Sequence, residues 1–177
     1  MTGRLLEPAK AALLVFVASV LQVTIFSDVH ILGGTPDLVL VTLTAIALLR
    51  GSIYGACCGF AAGFLVDTAN LETLGVTSLL LTLAGYWIGR YGETTGRDRA
   101  HAPFVSVAVA TILVQFGALI LHYMLGDAVS ARIVLLDALP PKVGLNLLLT
   151  LPVYAVVRRL FAFASQPAAA TEVRLLG

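Results

Sequence analysis

Charge is what this sequence has least of: Asp, Glu, Lys and Arg together make up 12% of its 177 residues, while 59% are hydrophobic. The mean hydropathy is +0.96. A soluble globular domain carries about 25% charged residues, so the chain lacks the polar surface to fold alone in water and reads as an all-α integral membrane protein. Cysteine is scarce too. Cys57 and Cys58 are adjacent; neighbouring thiols on a helix point in different directions and lack ligand spacing, which leaves them as small apolar packing residues. His30, His101 and His122 fall in separate segments with no paired spacing on one helix, so no metal centre is expected. There is no Walker-type loop, no dinucleotide fingerprint, no basic run suited to nucleic acid and no nucleophile with a base. No catalytic residue, cofactor or metal is expected.

The few charges fall at junctions, leaving uncharged windows at 11–27, 38–49, 51–66, 73–89, 100–126 and 143–157. A helix needs about 20 apolar residues to cross a hydrocarbon core of about 30 Å. Four windows reach that length, the last by starting near Pro140. The second and third are short and separated only by Arg50. Either they form one over-long kinked helix, or a tight hairpin turns at Arg50-Gly51-Ser52.

The positive-inside rule decides between these. With the hairpin, Arg4, Lys10, Arg50, Arg90, Arg97, Arg99, Arg158, Arg159 and Arg174 all face the cytoplasm, and only Arg132 and Lys142 lie outside. The outer loops then hold Asp28, Asp37, Asp67, Glu72, Asp127 and Asp137. Six spans with both termini cytoplasmic follow, with residues 1–165 as a single six-helix domain and 166–177 as a loosely ordered cytoplasmic tail. The first span, Ala9 to Phe26, has no small-residue cleavage pattern behind it and reads as a signal anchor.

Local signals place the rest. Thr35-Pro36-Asp37 reads as the start of the second helix, with Thr35 as N-cap, Pro36 in the first helical position and Asp37 at the positive dipole end. The third helix, Gly51 to Asp67, repeats glycine every four positions at Gly51, Gly55, Gly59 and Gly63. That spacing lines one face with glycine and lets another backbone approach closely. The fourth, Leu74 to Arg90, repeats the device at Gly85 and Gly89 and ends in Tyr86, Trp87 and Tyr91, an aromatic belt. The largest cytoplasmic loop, Tyr91 to Ala102, carries Glu93, Arg97, Asp98 and Arg99. A short interfacial helix fits Ala128 to Leu139, and Pro152 sits inside the sixth span.

Ionisable residues within the spans are scarce, and Asp67 is the one that needs an explanation. It extends the glycine face by one turn and sits at a helix C-terminus, where the dipole disfavours an anion. Lys142, Arg132 or a hydrogen-bonded cap on the loop Thr68 to Thr73 could compensate it, or the carboxylate could simply end the helix and face water. Gln22, Gln115, His122 and Asn146 are polar groups within spans and read as hydrogen-bonding links between helices.

Thr35-Pro36-Asp37-Leu38-Val39-Leu40, the run Gly51 to Asp67, Leu74-Gly75 and Gly85-Tyr86-Trp87-Ile88-Gly89 occur in that order. Residues 35–90 thereby resemble the rod shape-determining protein MreD family of bacteria, the core being Gly59-Phe60-x-x-Gly63-x-x-x-Asp67 followed by Leu74-Gly75. The resemblance implies a non-enzymatic scaffold in the bacterial cytoplasmic membrane. Its partners would be MreC and, more widely, MreB, a SEDS glycosyltransferase and a class B penicillin-binding protein, with peptidoglycan synthesis as the process served. It also implies an architecture similar to the six-helix substrate-binding subunit of energy-coupling-factor transporters. That likeness supplies the rival function, a vitamin or small-solute binder, although no small-molecule substrate is expected of a scaffold. Pro36, Asp37, Gly55, Gly59, Gly63, Asp67, Gly75, Gly85 and Gly89 are the candidate partner-binding or helix-packing residues. The glycine face could dock a partner's membrane helix or be used up inside the chain.

Overall fold

The computed structural model describes residues 2–26, 33–71, 73–95, 101–126 and 132–162. Asp28, His30, Glu72, Arg97, Asp98, Arg99, Asp127, Arg174, the start of the 128–139 segment and the 166–177 tail lie outside the described residues. Among those described, six α-helices and two π-helical turns form, and no strand. The helices are α1 (Thr2–Leu21), α2 (Leu38–Arg50), α3 (Ser52–Asn70), α4 (Val76–Thr95), α5 (Ala102–Met124) and α6 (Leu139–Ala162). The π turns Gln22–Phe26 and Ile133–Ala138 extend α1 and lead into α6.

The chain is organised around α2, whose residues from Val39 to Leu48 are all buried. A helix apolar on every side must be surrounded, and α2 packs against all five of the others. This explains its length. At 1.5 Å per residue its 13 residues span roughly 20 Å, but a helix enclosed by protein need not match the hydrocarbon thickness.

Three expectations are corrected. Of the six expected spans, four are long and apolar enough to cross a membrane: Glu7–Phe26, Ser52–Asn70, Ala102–Met124 and Leu139–Phe161. The enclosed α2 falls short in length, and α4 in apolarity, because it continues through Arg90 and Glu93 to Thr95. Glu93 is therefore helical and not a loop residue. The N-cap of α2 is Asp37, not Thr35: its Oδ1 accepts from the Leu40 N–H at 2.9 Å, so Pro36 lies one position before the cap.

The over-long-helix alternative for 38–66 is also settled. Gly51 alone joins α2 to α3, at φ 97° and ψ −176°, and donates its N–H to the Ala47 carbonyl at 2.8 Å. Left-handed φ of this kind suits glycine. The large side chains left outside the packing, among them Leu13, Phe16, Ile53, Phe60, Trp87, Leu113 and Leu148, coat the helices with an apolar exterior. Water-soluble monomers rarely show apolar patches so extensive; a bilayer accommodates them.

Candidate functional site

The α3–α4 pair is built by its glycines. A methyl group added at Gly55 would fall on the Gly85 carbonyl, and one at Gly85 on the Gly55 carbonyl. Likewise Gly59 faces the Leu81 carbonyl, Gly63 the Ser78 backbone, and Gly89 the backbone of Gly51 and Ser52. The two helices thus lie backbone to backbone in antiparallel register over their whole length. Dispersion between closely apposed main chains holds such pairs in lipid. The face that the glycine spacing predicted as a groove is filled by α4.

Each end of the pair is closed by a carboxylate from the opposite helix. Asp67, fully buried near the end of α3, accepts from the Gly75 N–H at 2.8 Å, the Thr77 N–H at 3.3 Å and the Ser78 N–H at 3.4 Å. These are N–H groups at the start of α4, which no intrahelical carbonyl can satisfy. The positive end of α4 is therefore what compensates Asp67, and not Lys142, Arg132 or the 68–73 loop. Leu71 at φ 55° and Gly75 at φ 98° turn the chain back between the two helices. Ser78 Oγ donates to the Phe60 carbonyl at 2.9 Å and adds a further tie.

At the opposite end the roles reverse. Glu93 of α4 accepts from the N–H and hydroxyl of Ser52, at 2.8 and 3.1 Å, at the start of α3. These two bonds, the backbone one foremost, hold the Glu93 carboxyl below its ordinary pKa, with a smaller contribution from Arg90 against some desolvation. Glu93 also lies beside Gly51, where a Cβ would strike its carboxylate. Nearby, Arg50 pairs with Glu7 of α1 and lies 4.4 Å over the Phe161 ring of α6.

A second polar cluster surrounds the start of α2, at the Asp67 end of the molecule. Gln22 bridges it, donating to the Pro36 carbonyl at 3.2 Å and accepting from the Leu38 N–H at 2.7 Å. Asn146 of α6 is fully buried; it accepts from the Asp37 N–H at 2.8 Å and donates to Thr111 of α5 at 3.0 Å. Lys142 lies 3.9 Å from Asp37 Oδ2 and donates to Gln115 Oε1 at 3.2 Å. Buried polar groups are costly unless bonded, and this network joins α1, α2, α5 and α6 through groups that are. Gln22, Gln115 and Asn146 are the interhelical links anticipated for them. Glu93 and Thr111 were not singled out from the sequence; Glu93 lying three residues after Arg90 was the available signal.

Two hollows remain. One, of about 560 Å³, is an apolar groove between α1 and α3 lined by Ala11, Ala12, Cys57, Cys58 and Ala61 together with Pro8, Val15, Phe16, Ile53, Tyr54 and Leu65. The other, of about 340 Å³, adjoins the Asp37–Lys142 pair. Among the described residues no group of three His, Cys, Asp or Glu could hold a metal ion.

A family model described as rod shape-determining protein MreD matches residues 4–164. No curated protein and no solved structure matches the chain, so the expected likeness to energy-coupling-factor subunits has no support.

Proposed function

The chain belongs to the rod shape-determining protein MreD family, and from that premise we propose that it is a non-enzymatic scaffold of the bacterial rod complex. In this reading it sits in the cytoplasmic membrane, crosses it six times and keeps both termini in the cytoplasm. It holds MreC and through MreC connects to MreB, the SEDS glycosyltransferase and the class B penicillin-binding protein that direct peptidoglycan synthesis. Four of the crossings are given to the stretches that are long and apolar enough to span. The other two are α2, enclosed by its neighbours, and α4, bound to α3 by the glycine contacts.

The observation that carries the docking part is the contrast between two small-residue faces. The glycine face is occupied by α4, whereas the groove between α1 and α3 is open, with Ala11, Ala12, Cys57, Cys58 and Ala61 among larger apolar residues such as Phe16, Ile53 and Leu65 and almost no polar lining. Small residues that admit a close backbone are what helix association in lipid requires. The MreC membrane helix is therefore assigned to this groove.

Co-purification tests the assignment. Filling the groove with Ala12→Phe and Ala61→Phe should leave a folded monodisperse protein that retains less than about one tenth of the MreC, a loss of about 1.4 kcal/mol or more. A folded double variant carrying the wild-type amount of MreC would dismiss the groove as the docking surface.

A further inference from the structure

The scaffold reading makes no use of the cavity of about 340 Å³ beside Asp37 and Lys142. Its size falls within the range of small-molecule sites, about 300–1,000 Å³. Its wall is divided by chemistry. Val23, Val39, Val66, Leu81 and Val114 give it apolar lining, while Gln22, Thr35, Asp37, Asn70, Thr77 and Lys142 supply polar groups.

Two charges of opposite sign line it, and each has bonding capacity to spare. Asp37 uses Oδ1 to cap α2, which leaves Oδ2 facing Lys142. The Lys142 ammonium has three donors and gives one to Gln115. At 3.9 Å the pair attracts but is too long for a hydrogen bond. Both side chains are about four-fifths buried, so a ligand group reaching either would meet little competition from water.

This arrangement selects against ligands of one sign. An anion on Lys142 would lie against the Asp37 carboxylate, and a cation on Asp37 against the Lys142 ammonium. A molecule with both charges a few ångströms apart meets neither penalty, because it completes a ring of four alternating charges. The apolar lining then calls for a compact hydrocarbon body. A cavity of about 150 Å³ holds benzene, so this one has room for a ring and a charged head group. We propose that the cavity binds a small zwitterion of the amino-acid class, with its carboxylate on Lys142, its ammonium on Asp37 and its side chain against Val39, Val66, Leu81 and Val114.

Calorimetry on the purified full chain in lipid nanodiscs, titrated with L-phenylalanine, L-leucine and L-methionine, tests this. At least one should bind saturably with one site per chain. Phenethylamine, which lacks the carboxylate, and hydrocinnamate, which lacks the ammonium, should bind at least about tenfold more weakly than phenylalanine. Lys142→Met should weaken binding by a similar factor, and Val66→Trp should abolish it by filling the space. Should a variant fail to fold, the comparison of probes on the wild-type chain still decides. Absence of saturable binding by all three amino acids, equal binding of either singly charged analogue, or undiminished binding to folded Lys142→Met would each overturn the proposal.

Discussion

Asp67 is a carboxylate with no exposed surface, at the negative end of its own helix, yet it has a physical reason to be there. Three N–H groups at the start of α4 point at it, and the dipole of α4 opposes that of α3. Hydrogen bonds to charged groups contribute about 1.5–3 kcal/mol each, and only the bond to Gly75 is short. Asp67→Ala should therefore destabilise the protein by about 3 kcal/mol, while Asp67→Asn, which keeps an acceptor, should cost about half as much. Thermal unfolding in detergent checks the order of the two; equal melting of Asp67→Ala and wild type would show that the cap contributes nothing. Glu93 gives a second test through pH. Its folded pKa is lowered by Ser52, so its contribution is present above the ordinary glutamate value of about 4.3 and is lost as pH falls through the depressed folded value. Melting temperatures of wild type and Glu93→Gln should differ at pH 7 and converge on acidification below that range.

At the scale of elements, the sequence motif Gly59-Phe60-x-x-Gly63-x-x-x-Asp67 with Leu74-Gly75 resolves into one local device. Gly59 and Gly63 admit the backbone of α4, Asp67 caps it, and Gly75 turns the chain into it. Gly59→Leu would set a branched side chain on the Leu81 carbonyl, which belongs to a helical main chain and cannot move aside. That variant should aggregate, whereas Ala61→Leu, on the α1 side, should remain monodisperse in size-exclusion chromatography. A monodisperse Gly59→Leu with wild-type melting would refute the backbone contact. Much of this was legible beforehand: glycines four residues apart announce close approach, and a carboxylate at a helix C-terminus announces a need. What answers the need was not legible, because backbone N–H groups are common to almost every residue and only the fold decides which ones arrive. The start of α2 was misread by two residues for a related reason. Thr35, Pro36 and Asp37 are each good in that position by local preference, and the choice falls to Asp37 because Gln22 and Asn146, distant in sequence, engage Pro36, Asp37 and Leu38. Glu93 falls after Arg90, where the sequence places a loop, but its bonds to Ser52 belong to the helix pair.

For the molecule as a whole, the two ends differ in chemistry. One carries Glu7, Arg50, Arg90 and Glu93, the other Asp37, Asp67 and Lys142. Apolar exterior runs between them on α1, α3, α5 and α6. If arginine-rich junctions stay on the cytoplasmic side, the Arg50 end faces the cytoplasm and the cavity beside Lys142 opens outward. That orientation has a direct consequence for labelling. With Cys57 and Cys58 replaced by alanine, a cysteine at Ser27 or Ala128 should react with an impermeant maleimide in intact cells, and one at Thr2, Thr95 or Thr171 only after the membrane is opened. The pattern separates six crossings from four, because each omitted crossing reverses every loop that follows it. Omitting α2 and α4, the two helices that fall short of the spanning criteria, would leave the termini, Ser27, Thr95 and Ala128 where they are but would bring the 71–75 turn to the cytoplasmic face. A cysteine at Leu71 that reacts in intact cells alongside Ser27 therefore excludes that four-crossing arrangement, and one protected until lysis would overturn the six crossings.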